Sequence, residues 1–292
     1  MAALIVKHGR VIARGWTQVG GRPHAEAEAL AAAGADAAGA TLYVTLEPCA
    51  HASGRGPACA DLVAASGIAR VVIGCHDPDL RTAGQGIARL LAAGIAAELI
   101  DCAECAASLA GYLTRARQRR PHVTLKLALS ADARLSPPPG EGQWLTEPEA
   151  RAHVHAWRAR MDAIVVGRGT LLADQPRLDV RLPGLAPRSP ERWLLTGGAA
   201  PTGWRALASP AAIGTMGDAQ YLMVEGGAQT ARAFLNAGLV DRMLLYRAPR
   251  DLGGKGATLP ELGRAELAAD PAWQQTDTRQ LGNDRLDVYE RS

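Results

Sequence analysis

Short apolar strands alternate with helical stretches along this chain, and the alternation restarts once, behind Pro121. Such a pattern calls for layered α/β structure, because each strand and each helix has one face to bury and finds it in the other. The first set opens with ALIVK, a His8-Gly9 turn and VIARGW, which read as a β-hairpin. HAEAEALAAAG follows as a helix stopped at Gly34. TLYVTL, RVVIG and IAAELI read as strands, with PACADLVAASG and GQGIARLLAAG as the helices between them. A single helix is expected from about Cys102 to Arg117, ending in the basic stretch RARQRR.

Behind Pro121, PHVTLKLALS reads as a strand and SPPPGEGQ as a loop. Pro148 and a capping box between Thr146 and Glu149 are expected to open a helix that runs to about Arg160. MDAIVVG and RWLLTGG are strands, YLMVEGG runs directly into the helix AQTARAFLNAG, and RMLLYRAP and RLDVYERS complete the set. The boundary is expected near Arg120, which gives domains over residues 1–119 and 120–292, each long enough to bury a core of its own.

Composition narrows the function classes. A 48% hydrophobic and 21% charged chain is that of a soluble globular protein. No apolar run is long enough to span a bilayer, and MAALIVKHGRV reaches a lysine after six residues, so it is expected to be neither signal peptide nor anchor. A cytoplasmic protein without a membrane partner is expected. A net charge of +3 with 4% aromatics leaves little for the basic groove and stacking platforms of a nucleic-acid enzyme. Five cysteines, an odd count with no export signal, favour metal or thiol chemistry over a disulfide framework.

The thiols and one histidine form a motif. His24-Ala25-Glu26 begins a helix, Glu47-Pro48-Cys49 closes a strand, and Cys59 begins the next helix. His24, Cys49 and Cys59 suit one tetrahedral zinc per chain with the fourth position left for water. Glu26, two residues from His24, is placed to take a proton from that water and pass it to a departing amine, so it is a catalytic group and not a ligand. Nine residues, AHASGRGPA, separate the cysteines, and so polar and glycine-rich a loop lets both ends fold back to one ion. Cys102 and Cys105 are expected to share a helix face and pack in the core, as is Cys75 at a strand end.

PHAEAEAL, TLYVTLEPCAH, GPACADLVAASGIARVVIGCHDPD and TAGQGIARL resemble the deaminase half of the bifunctional riboflavin-biosynthesis deaminase–reductases. RPHVTLKLALS, GQWLT, AWRARMDAIVVGRGTLLADQPRLDVRLP and VEGGAQTARAFLNAGLVD resemble their reductase half. The resemblance covers nearly the whole chain. It implies a cytidine-deaminase-like three-layer domain followed by a dihydrofolate-reductase-like α/β domain. It also implies zinc-dependent deamination of a diaminohydroxyphosphoribosylaminopyrimidine, then NADPH-dependent reduction of the ribosyl group to ribityl. A homodimer is compatible with it.

By the same resemblance, Ala128, Trp144, Thr170, Asp174 and the run Gly227, Ala228, Gln229, Thr230, Ala231, Arg232 and Ala233 would meet NADPH. Gly142, Arg158, Leu178, Arg181 and Glu225 would meet the substrate. The residues themselves say less. GRGTLL has two glycines and no third, a weak dinucleotide fingerprint. Glu225-Gly226-Gly227, between a strand and a helix, is better placed to offer backbone N–H groups to a phosphate.

The chain departs from the family pattern at several points. It reads Ser130-Ala131-Asp132-Ala133 for SLDG, Gly142 for a serine and Gln175 for an aspartate, and it is short between Arg181 and Ala219. The family's helix and Asn-Pro loop ahead of ALIVK are absent, so the deaminase domain is expected to lack its N-terminal helix and Met1 is read as a miscalled or shortened start. Two alternatives stay open: a deaminase carried on a non-catalytic reductase-like scaffold, and a zinc-stabilised binding protein without catalysis. Glu26 speaks against the latter, since a structural zinc site needs no unliganded carboxylate there.

Overall fold

The computed structural model describes residues 1–51, 53–135, 144–254 and 256–292. They divide into two compact units, Met1–Arg117 and Gln118–Ser292.

The first unit runs β1 (Ala2–Lys7), β2 (Arg10–Trp16), α1 (Ala25–Ala33), β3 (Thr41–Val44), α2 (Cys59–Ala65), β4 (Arg70–Ile73), α3 (Gln85–Ala92), β5 (Ala96–Leu99), α4 (Ala103–Ser108) and α5 (Ala110–Gln118). Its sheet has the order β2-β1-β3-β4-β5. The hairpin turns through His8 and Gly9 at φ 50° and 73°, the left-handed pair that suits the twist of two antiparallel strands. β1 also pairs antiparallel with β3, whereas β3, β4 and β5 are parallel. Ile5, Leu42 and Ile73 from the sheet meet Ala29, Val63 and Leu90 from the three helices in one core. Because β3 and β4 are parallel neighbours, the segments that leave them, Glu47–Cys49 and Cys75–Asp77, emerge at the same end of the sheet.

The expected single helix from Cys102 is instead two, α4 and α5, broken at Leu109, which buries its side chain beside Leu46, Cys75 and Leu113. Cys102 and Cys105 do not share a helix face. Cys102 is the N-cap, its Sγ accepting the Cys105 amide at 3.3 Å. Cys105 packs so closely on Gly74 that a Cβ there would lie 2.5 Å from its Sγ.

The second unit runs β6 (His122–Leu129), α6 (Pro148–Arg158), β7 (Ala163–Gly167), α7 (Arg168–Asp174), β8 (Glu191–Leu195), β9 (Arg205–Leu207), β10 (Tyr221–Val224), α8 (Ala228–Asn236), β11 (Arg242–Arg247), α9 (Arg264–Ala269), β12 (Trp273–Leu281) and β13 (Asp284–Arg291). Its eight-stranded sheet has the order β12-β13-β11-β6-β10-β7-β8-β9. The strands from β11 to β9 in that order are parallel, and β13 and β12 are antiparallel additions at one edge. Both faces of the parallel part are covered. Met243 and Leu245 enter one core while Leu244 and Tyr246 enter the other, which is why such strands read as unbroken apolar runs.

The capping box does not form. The N-cap of α6 is Glu147, one residue later than expected, with no side-chain cap. The Asp284 carboxylate on β13 accepts the Glu147 amide at 2.7 Å, and that distant partner fixes the start of the helix. Among the described residues, no helix is long and apolar enough to cross a membrane.

Candidate functional site

In the first unit, His24 is the N-cap of α1 and Glu26 lies in its first turn. Cys49 follows β3, and Cys59 is the first residue of α2. Sequence-distant as they are, the three proposed ligands converge. His24 Nδ1 lies 3.5 Å from Cys49 Sγ and 3.4 Å from Cys59 Sγ, and all three ligand atoms fall within 4.8 Å of one another. A tetrahedral zinc with ordinary Zn–S and Zn–N bonds sets S and N about 3.6 Å apart, so these residues fit the ion.

Their electrostatics point the same way. Cys59 and His24 pull the Cys49 thiol down to about 3 against its burial, while Cys59, sharing a hydrogen bond with Cys49 and itself buried, is pushed up. Like-charge repulsion disfavours a second thiolate beside the first, and a bound divalent ion removes that obstacle. Glu26 is 6% exposed, and burial raises its carboxyl above the usual range.

A cavity of about 320 Å³ opens over His24, Glu26 and Cys49, with His51, Asp77 and Asp79 also on its wall. Glu47, which the motif Glu47-Pro48-Cys49 contains but leaves without a role, also lines it. Its fully buried carboxylate accepts the amides of Gly84, Gly86 and Ile87 at 3.0–3.2 Å, tying the start of α3 to the strand end that carries Cys49. Asp77 Oδ1 accepts from the Tyr112 hydroxyl at 2.7 Å and from the Asp79 amide at 3.0 Å, which orders that wall.

In the second unit the candidate residues gather at the C-terminal ends of the parallel strands, where doubly wound sheets bind ligands. Glu225 and Gly226 follow β10, and α7 with Thr170 follows its neighbour β7. Thr170 Oγ1 accepts the Gly227 amide at 3.2 Å. Gly227 caps α8 with no side chain, so the amides of Ala228, Gln229 and Thr230 have no capping partner and fit a cofactor phosphate. The rest of the run points elsewhere: Ala231 is fully buried in the core, and Arg232 donates to Thr258 O. Trp144 is exposed beneath the Arg151 guanidinium, Asp174 is exposed at the end of α7, and Ala128 is half-buried on β6.

Of the residues proposed for substrate, Arg158, Glu225, Leu178 and Arg181 come together around Asp179. Arg158 Nη1 donates to the Asp179 carbonyl at 3.1 Å, and Arg181 Nε pairs with the Asp179 carboxylate at 3.5 Å. Leu178 is buried. Gly142 lies outside the described residues, as does the loop SPPPGEGQ. Lys126 was missed. It interrupts the largely buried strand β6, and its ammonium, 5.8 Å from the Tyr246 ring centroid, is pushed down by burial against the pull of Glu225. One lysine inside so apolar a strand was the available signal.

The family model for the cytidine and deoxycytidylate deaminase zinc-binding region matches residues 1–75, and that for the RibD C-terminal domain matches 121–201 and 211–286. Riboflavin biosynthesis protein RibD of Escherichia coli K12 is 35% identical over 97% of this chain and 91% of its own length. The chain belongs to the RibD family. RibD of Mycobacterium tuberculosis H37Rv is 36% identical over 98% of this chain and 88% of its own. Among solved structures, Acinetobacter baumannii RibD superimposes with a TM-score of 0.86 at 32% identity, covering 100% of this chain and 92% of that one. A Thermotoga maritima protein described as a diaminohydroxyphosphoribosylaminopyrimidine deaminase/5-amino-6-(5-phosphoribosylamino)uracil reductase does so with a TM-score of 0.86 at 28% identity, covering 100% and 91%. Like RibD, the chain joins a zinc-binding deaminase domain to a reductase domain and serves riboflavin biosynthesis.

Proposed function

We propose that the first unit hydrolyses the ring amine of a diaminohydroxyphosphoribosylaminopyrimidine and that the second reduces the ribosyl group of the product to ribityl phosphate. The observation that carries the reading is the convergence of His24, Cys49 and Cys59 beside a buried Glu26, with His24, Cys49 and Glu26 on the wall of one cavity. With zinc held by those three residues, the ion supplies the Lewis acidity that makes water a competent nucleophile near neutral pH. Glu26 takes one proton from the water as its oxygen bonds to the ring carbon, and passes it to the ring nitrogen as the ring C=N π bond opens. The same carboxyl then moves the remaining hydroxyl proton to the exocyclic nitrogen, the C–N bond breaks, the carbonyl forms and ammonia leaves. Burial favours the protonated carboxyl that this second transfer requires.

In the second unit NADPH, its phosphates on the amides after Gly227, would supply the hydride. Arg181 and the Arg158–Glu225 pair would orient the phosphoribosyl group, and Lys126 would hold an ammonium near the reacting end. The domain boundary near Arg120, a cytoplasmic location and a homodimer complete the reading. The test is ammonia release from the diaminopyrimidine phosphate by the purified chain, with and without NADPH. Ammonia should appear without NADPH, and NADPH oxidation should follow only once deaminated product has formed. No ammonia release would overturn the first half of the proposal. Cofactor binding without oxidation would overturn the second and leave a deaminase on a scaffold.

A further inference from the structure

We propose that Arg22 is an outer-sphere partner of the metal centre, a permanent cation that draws charge away from the Cys49 thiolate. The inference rests on the zinc reading above and assigns a role to a residue outside the ligand set. Arg22 Nη2 donates to Cys49 Sγ at 3.8 Å, and Nη1 donates to the Pro57 carbonyl at 3.0 Å. The second bond anchors the guanidinium to the loop that leads into Cys59. Cys49 Sγ also accepts the Cys59 amide at 3.3 Å, so two donors converge on this one sulfur.

The charge balance explains why such a donor matters. Two thiolates and the Glu26 carboxylate outnumber the charge of one divalent ion, and strongly donating thiolates weaken its hold on a fourth ligand. A hydrogen bond from a cation lowers the energy of the sulfur lone pairs, which restores Lewis acidity at the open position. A guanidinium does this at every working pH, because it does not lose its proton. Arg22 is therefore a positioning residue that acts through Cys49.

The experiment compares the full chain with Arg22→Ala, Arg22→Gln and Arg22→Lys, each loaded with Co²⁺ in place of zinc, alongside steady-state deamination by the zinc forms. In R22A the sulfur-to-cobalt charge-transfer band should move to longer wavelength, and kcat for ammonia release should fall about 10- to 100-fold with KM little changed. R22Q, which keeps an N–H donor but no charge, should resemble R22A, while R22K should recover part of both signals. Zinc content should stay at one per chain throughout. A charge-transfer band unmoved in R22A and R22Q overturns the proposal. A KM rise with that band unmoved would make Arg22 a substrate contact instead. A wild-type chain that takes up no cobalt would overturn the metal reading itself, and this inference with it.

Discussion

Arg158 and Glu225 meet through two parallel contacts, Nε to Oε1 at 2.7 Å and Nη2 to Oε2 at 2.8 Å. Both side chains are about nine-tenths buried, and they link α6 to the end of β10. Burial alone would raise the Glu225 carboxyl, yet Arg158 holds it below the usual range. Removing one partner strands a buried charge. Arg158→Met should cost about 3–5 kcal/mol of unfolding free energy, and the double variant Arg158→Met with Glu225→Met should cost less. Urea denaturation followed by circular dichroism checks the order. Arg181, 54% exposed, has no such structural duty, so Arg181→Met should raise KM in the reduction step with little change in stability.

Glu26→Gln keeps the shape of the side chain and removes its proton chemistry. Deamination should fall at least about a hundredfold, the usual loss when a general acid–base group goes. Zinc, measured by elemental analysis, should remain at one per chain, because Glu26 is not among the three ligands. A near-normal rate of ammonia release would strip Glu26 of its role.

Thr230 is wedged between two glycines. A Cβ on Gly167 would lie 2.2 Å from Thr230 Oγ1, and one on Gly226 would lie 2.3 Å from Thr230 Cβ. Gly167→Ala should therefore destabilise by about 1–3 kcal/mol, the range for overpacking, and weaken NADPH binding in a fluorescence titration. Thr230→Ala in the same chain removes the clashing oxygen and should return most of the lost stability. The same second change should do little for Gly226→Ala, whose clash includes the Thr230 Cβ.

His122 sits at 5% exposure on β6 with no partner on Nδ1, and burial pushes its pKa down to about 4. The unfolded imidazole titrates near 6.5, so between pH ~6.5 and ~4 the unfolded chain binds a proton that the folded one does not. The folded state loses stability across that window as pH falls, by about 3 kcal/mol from this group alone. Above pH ~6.5 both states are neutral here and the effect vanishes. His122→Phe should lose distinctly less stability than the wild type between pH 7 and pH 4.5, as read by denaturant midpoints. Parallel pH curves for the two proteins would discard this assignment.

Much of this was legible in the chain because it is local. The strands β6, β7, β10 and β11 are largely buried and apolar, and the turn at His8-Gly9 and the His24-x-Glu26 pair are written in adjacent residues. Where the sequence misled, a distant partner intervened. Asp284 took the Glu147 amide and moved the start of α6 past Thr146, and Cys102 became a cap instead of a core residue. β12 went unread because its residues are polar and mostly exposed, and its place comes from antiparallel pairing with β13, not from burial of its own. β9, three residues long, is too short to leave a periodic signal.

The sequence by itself determined the residue types of the metal set, the strand–helix alternation and the carboxylate beside the histidine, all of which depend on near neighbours. Only the tertiary structure decided that Cys59 returns across its nine-residue loop to within 3.4 Å of His24 Nδ1, that Glu47 clamps the start of α3, and that Glu225 spends its charge on Arg158. Those contacts join residues 35 to 67 positions apart. Packing of the sheet and helices fixes such distances, and no local pattern encodes them.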